Sequence, residues 1–278
     1  MPHRGRTVQE RAKAGPAELL APRGDASRLR LRRVFLDAFV ALDVAEPLCS
    51  FEVSARAEEV RAFLEARELD RVGVRVDGLV RGYAERVDLA GGRLGDHLRP
   101  FGPDDLVEDA ASLQEVIRSL AVNERCFVTV LGEAAAIVTL QDLEKPPVRM
   151  FLFGMVTVLE MLLARAVEQA FPGESWREHV APGRLAKAEE LRAERERRGR
   201  PARLLDCLQF SDKGLLAIRI PEVRARLGDD ASGKELKRAV KELEELRNHL
   251  AHAQEIVPSG WSRIASFTRN LDALLELA

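Results

Sequence analysis

The chain has 278 residues, 46% of them hydrophobic and 32% charged, which suits one or more globular units with a real core and excludes a fibrous or wholly disordered protein. A formal net charge of -2 gives no global attraction for nucleic acid or an anionic membrane, so any basic surface has to be local. Cys49, Cys126 and Cys207 are far apart and form no CxxC pair, which argues against a disulfide framework or a zinc knuckle and for a reducing, cytoplasmic setting.

Residues 1–33 carry nine Lys/Arg against three Asp/Glu and contain no apolar run, so a basic, flexible tail is expected there rather than a secretory signal. Residues 34–145 reverse the balance, with twelve basic against twenty-two acidic side chains, and form a poor platform for a phosphate backbone. Inside this acidic stretch a gapless shift of 54 residues lays VGVRVDGLVRGYAERVDL, 72–89, on CFVTVLGEAAAIVTLQDL, 126–143. Gly78 then meets Gly132, Val76 meets Val130, Asp88 meets Asp142 and Leu89 meets Leu143. β-Branched alternation on both sides of each glycine predicts a hairpin in each copy. Upstream, Val60, Phe63 and Leu64 in one copy and Leu113, Val116, Ile117 and Leu120 in the other have amphipathic helical spacing. Each unit therefore reads as a lead-in strand, a helix, two strands and a closing turn at Asp-Leu. It is too small to bury both its faces, so the two units are expected to pair.

GLVRGY at 78–83 and, more clearly, AIVTLQD at 136–142 resemble the CBS-domain pair, or Bateman module, over residues 34–145. The resemblance implies tandem β-α-β-β-α repeats with an adenosine nucleotide (AMP, ATP or S-adenosylmethionine) in a cleft between them. Thr139 and Asp142 match the positions that contact phosphate and ribose in that family; in the first copy Asp88 matches, but Glu85 stands in place of the Thr. A carboxylate there would repel phosphate, leaving at most one intact site. The alternative is that Thr139 and Asp142 only end a strand and cap the next turn, in a pair that serves as a dimerisation scaffold.

Lys145-Pro146-Pro147 marks a boundary, since prolines stop one element and suit the first turn of the next helix. Residues 146–278 are expected to be all-helical. A helix over roughly 148–171 is apolar nearly all round from Met150 to Leu163, a run too short to span a bilayer and interrupted by Glu160, so a buried bundle helix or dimer interface is predicted and no membrane span. Residues 172–203 are charge-dense, and their six arginines from Arg192 to Arg203 either are solvated or meet a phosphate backbone. A further helix and a connection follow over 204–227, with a break at Asp229, Asp230 and Gly233. Two helices close the chain, over 234–254 and 262–277, separated by the turn Pro258-Ser259-Gly260.

In the first of these, Leu236, Val240, Leu243, Leu246 and Leu250 form one stripe, and Asn248 and His252 lie one turn apart on the other side. Histidine titrates near neutrality and arginine offers a permanently charged fork for phosphate oxygens, so Arg247, Asn248 and His252 have the chemistry for attack of a ribose 2′-hydroxyl on the adjacent phosphate. The alternatives are that Arg247 pairs with Glu244 and that His252 is a cation at a helix C-terminus. His249 and His252 lack a third ligand nearby in sequence, so no metal is assigned. His97 and His179 read as surface residues.

LRNHLAH at 246–252 resembles the Arg-x(4 to 6)-His motif of HEPN domains, in the form with Asn after the Arg. That resemblance implies a four- to five-helix unit, a homodimer juxtaposing two motifs, metal-independent RNA cleavage by Arg247 and His252, and a supporting Asn248. Together the expectations are an α+β protein: a tail (1–33), a CBS-like pair (34–145) and a HEPN-like bundle (146–278). The function expected is a nucleotide-regulated endoribonuclease of stress response, phage defence or a toxin-antitoxin pair. A non-catalytic dimeric regulator binding RNA or a protein partner, and a purely structural oligomer, are the rival readings.

Overall fold

A computed structural model describes residues 38–227, 232–252, 254–256 and 264–265. The expected tail at 1–33, the break at Asp229 and Asp230, the turn at Pro258-Ser259-Gly260 and most of the expected last helix lie outside the described residues. Ile264 and Ala265 are helical and buried.

The front half is two four-stranded sheets with a mixed α+β topology. The first repeat contains β2 (Ser50–Glu52), preceded by the two-residue β1 (Glu46–Pro47), then α1 (Ala57–Glu65), β3 (Arg71–Val76) and β4 (Leu79–Glu85). The second, after short 3-10 turns, contains β6 (Leu106–Glu108), preceded by the two-residue β5 (Arg99–Pro100) at the position equivalent to β1, then α2 (Leu113–Asn123), β7 (Arg125–Val130) and β8 (Glu133–Thr139). In each repeat a strand runs parallel to the first hairpin strand and a helix crosses between them. The edge strands are exchanged: β1 pairs with β8 of the second repeat, and β5 with β4 of the first. The closing element of each repeat is a 3-10 turn, Arg86–Asp88 or Leu140–Glu144, where the resemblance implied an α-helix.

The repeat extends to backbone detail. Both hairpins turn through two residues at positive φ, Asp77 and Gly78 in one and Leu131 and Gly132 in the other, as a type I′ turn requires. Both ladders shift register at equivalent places, between Val74 and Arg75 and between Val128 and Thr129. One departure is Gly82, whose counterpart is Ala136. A Cβ at Gly82 would sit 2.2 Å from the carbonyl oxygen of Arg99 and 2.6 Å from Leu98 Cδ1, so β5 can lie on β4 only because that side chain is missing. Gly82→Ala is therefore expected to destabilise the protein by about 1–3 kcal/mol, as overpacking against backbone does, and a urea midpoint unchanged from wild type would contradict this account.

Tyr83, Phe127 and Ala134 form a small cluster with Leu48, Val80, Phe101 and Ile137, which joins the two sheets. The first repeat has its own core of Ala57, Val60, Leu64, Val72, Val74, Ala84, Leu89 and Leu94. The second repeat has no separate one: Leu113, Ile117, Leu120 and Val138 are continuous with the helical half. Cys126 is sealed there, and burial pushes its thiol up to about 12 against the opposing hydrogen bond from Ser119.

Helix α3 (Pro146–Ala170) starts on the two prolines and runs through this shared core, burying Phe151, Leu152, Met155, Leu159 and Val167. With 25 residues it exceeds the apolar run read from the sequence and is long and apolar enough to cross a membrane, but most of that span is buried inside the fold. One side stays open: Met150, Phe153, Thr157 and Met161 share an exposed stripe. Helix α4 (Pro182–Arg197) is the solvated helix that its composition allowed, with Ala188 its buried residue. Four of the six arginines from Arg192 to Arg203 are paired on the protein: Arg192 with Glu196, Arg197 and Arg198 with Glu194, and Arg203 with Glu168 and Asp206. Two short helices, α5 (Phe210–Ala217) and α6 (Pro221–Leu227), precede α7 (Gly233–Ala251). The α7 N-terminus is capped by Ser232 and Glu235 in a reciprocal box, and Leu236, Val240 and Leu246 are its buried residues.

Candidate functional site

Two places carry the chemistry singled out from the sequence, and a short run of residues connects them. The first is the end of β8. Thr139 is the last strand residue and Asp142 lies in the turn that follows. One oxygen of the Asp142 carboxylate accepts from the Thr139 amide at 2.7 Å and from its hydroxyl at 3.0 Å. The other is 2.8 Å from the Lys145 ammonium. Asp142 is thus buried, with three bonds on its carboxylate and only 9% of its side chain exposed. The capping arrangement that the sequence left open does exist, and it uses the same two side chains that a nucleotide would need.

Lys145 is the residue that sequence reasoning missed here. Its ammonium also donates to the carbonyl of Val44 at 2.6 Å and to Glu46, so it ties the lead-in segment to Asp142. Burial opposes its charge, but Asp142 and Glu46 together outweigh that and hold the ammonium above its ordinary value. No periodicity signals such a contact, because its partners lie about a hundred positions apart in the chain.

In the first repeat Glu85, where the Thr would stand, accepts from Arg71 at 3.1 Å and lies 4.0 Å from Arg125. The bare carboxylate expected to repel phosphate is therefore already neutralised by the protein itself. Asp88 is paired with Arg99. Arg125 lies over the Tyr83 ring at 4.6 Å and donates to its hydroxyl, and it comes within 4.0 Å of Asp105. This position is filled by its own arginine, tyrosine and carboxylates.

The second place is the C-terminal end of α7. Arg247 and His252 are exposed and Asn248 is half-buried. The helix ends at Ala251, earlier than expected, and His252 is its C-cap, with its amide donating to the Asn248 carbonyl at 3.0 Å. Arg247 donates to Asn248 Oδ1 at 3.1 Å, so Asn248 supports the guanidinium rather than the imidazole. Glu244 accepts from the Ser211 amide, and no Arg247–Glu244 pair is formed among the described residues. Among the described residues no group of three or more His, Cys, Asp and Glu is placed to hold a metal ion. His97 bonds the Gly91 carbonyl and His179 packs edge-on to Phe171.

Between the two places lie Glu144 and Arg149. Glu144 accepts from the Ile256 amide at 2.6 Å and from Arg149 at 3.0 Å. Arg149 in turn donates to the carbonyls of His249 at 3.2 Å and Gln254 at 2.9 Å. An arginine on the last carbonyls of a helix satisfies acceptors that the helix itself cannot reach and complements its dipole. A separate open cavity of 510 Å³ lies along α3, lined by Thr157, Glu160, Arg165, Arg203, Asp206 and Lys213 among others. Its buried Lys213 is paired with Glu160 at 2.7 Å and Arg203 with two carboxylates, so its charges are largely compensated.

No protein-family model and no curated protein matches this chain. Several solved structures of CBS-domain proteins are similar to it. The CBS domain of a bacterial CNNM/CorC family Mg²⁺ transporter in complex with ATP is 18% identical, covering 42% of this chain and 92% of its own, with a TM-score of 0.34. The CBS-pair protein CBSX2 from Arabidopsis thaliana is 19% identical over 37% of this chain and 90% of its own, also at 0.34. A hemolysin-like protein containing a CBS domain, from Oenococcus oeni, is 16% identical over 41% of this chain and 93% of its own, again at 0.34.

Proposed function

We propose that the paired repeats bind an adenosine nucleotide at Thr139 and Asp142, and that the helical half is a metal-independent, HEPN-like endoribonuclease acting through Arg247 and His252. The observation that carries the catalytic part is the exposure of both side chains at the free end of α7, with the guanidinium held by Asn248 and no carboxylate partner on it among the described residues. RNA can reach them there. The protein would act as a homodimer with two motifs facing one groove. The uncharged stripe from Met150 to Met161 suits contact with a second copy, because a two-fold axis through it brings no like charges together. Asp88, matched to its Arg99, is assigned no ligand.

The nucleotide part is tested by melting the full chain with AMP, ATP and S-adenosylmethionine. A ligand present at about 100 times its Kd adds about 2.7 kcal/mol to the native state, so a clear rise in Tm is expected with one of the three and is lost in Asp142→Asn. If none raises Tm, the nucleotide reading is wrong. The catalytic part is tested by incubating the purified protein with total RNA beside Arg247→Ala and His252→Ala. Cleavage lost in both variants supports it, whereas equal cleavage by all three points to contamination. Binding of RNA without cleavage would favour the rival reading, a dimeric regulator.

A further inference from the structure

We infer that Asp142, Glu144, Lys145 and Arg149 couple the nucleotide site to the RNA-cleaving end of α7, with Lys145 as the part that yields when a ligand arrives. The inference rests on the reading of Asp142 as a ligand contact, and it adds the route by which occupancy is felt elsewhere.

Both oxygens of Asp142 are committed, one to Thr139 and one to Lys145. Oδ2 already accepts two bonds, so a ribose hydroxyl donating to this carboxylate would meet it at Oδ1, the oxygen that faces the Lys145 ammonium. The Thr139 bonds are local and one of them is to backbone, so they are fixed by the turn. The Lys145 bond is made by a flexible side chain that keeps two other partners, Val44 and Glu46, after it lets go. Ligand and Lys145 therefore compete for the same oxygen.

Lys145 is not a bystander in the chain. Its own carbonyl accepts from the amides of Val148 and Arg149 at 3.1 and 3.2 Å, so it forms the first turn of α3. Its amide donates back to Asp142 at 3.1 Å. A shift of Lys145 moves its neighbours, Glu144 on one side and Arg149 one turn on. Those two residues hold the amide of Ile256 and the carbonyls of His249 and Gln254, on either side of His252. The His249 carbonyl also accepts from the Gln254 amide, so the turn carrying the imidazole is closed by bonds that Arg149 shares. Eight consecutive residues, 142–149, thereby touch both sites, and the bonds between them are few enough for one substitution to cut the route. A ligand that binds only the state with Lys145 released would shift the population of this turn.

The test is amide hydrogen exchange on the full chain, read at Gln254 and Ile256, with residues 155–159 of α3 as the measure of global opening. Lys145→Gln without ligand is expected to speed exchange at Gln254 and Ile256 at least tenfold and leave 155–159 unchanged. Lys145→Arg should restore wild-type rates. Arg149→Gln should speed the same two amides, and adding Lys145→Gln to it should give no further increase. The coupling is overturned if Lys145→Gln leaves Gln254 and Ile256 as in wild type, if 155–159 accelerate equally, or if the two substitutions add. It is also overturned if ATP or AMP binds wild type, by the thermal shift above, without changing exchange at Gln254 and Ile256. If none of AMP, ATP and S-adenosylmethionine binds, the ligand reading fails on its own, and the ligand-free Lys145→Gln result still decides the coupling.

Discussion

His252→Ala is expected to lower the rate of RNA cleavage by about 10²–10⁴-fold at neutral pH, the usual contribution of a positioned proton donor or acceptor. The side chain is exposed at the C-cap of α7 and none of the buried core depends on it, so the loss should come with little change in Tm. Arg247→Ala should lose activity comparably, because a fixed fork for the phosphate oxygens is removed. Arg247→Lys should recover only part of it, since an ammonium cannot make the paired contact or the bond to Asn248 Oδ1 in the same geometry. The two losses should not add, because both groups would serve one transition state. Cleavage by His252→Ala within a factor of two of wild type, on protein purified away from contaminating nuclease, would end the catalytic proposal.

Phe127→Ala should have the largest effect on stability, about 3–5 kcal/mol, the range for deleting a buried aromatic ring. Phe127 is fully buried, with ring centroids 4.9 Å from Tyr83 and 4.8 Å from Phe101; Tyr83 lies on β4 and Phe101 follows β5, both strands of the other sheet. Its removal opens a cavity at the seam between the two sheets rather than within one of them. Guanidinium denaturation should therefore show a lower midpoint. A loss below about 1 kcal/mol would mean that the seam contributes far less than its burial implies.

Much of the front half was legible in the sequence. Gly78 and Gly132 announced the hairpins because their positions need positive φ, and the 54-residue shift held down to the bulges. The stripe from Leu236 to Leu250 gave α7 and put Asn248 and His252 on the side away from it, where His252 is exposed and Asn248 half-buried. The exchanged strands were not legible: β1 and β5 have two residues each, one a proline, too short for any alternation to register. The end of α7 was placed late because leucine spacing continues to Leu250 while the backbone is already being closed by Arg149, a residue about a hundred positions away. The same distance hid Lys145, while the arginines on Glu85 lie nearer in the chain, Arg71 across the hairpin and Arg125 in the second repeat. Sequence pattern reports which face of an element is apolar, whereas long-range ion pairs depend on where two elements finally meet.

The strand exchange also governs how this chain can be divided. Since β1 belongs to the sheet of the second repeat and β5 to that of the first, a fragment holding either repeat by itself would leave one ladder with bare amides and carbonyls along its margin. Such fragments invite self-association. The helical half is no more separable, because the interior of the second repeat is also its floor. Biochemical dissection therefore has to keep both repeats and the helical half together, Ile264 of the shared core included.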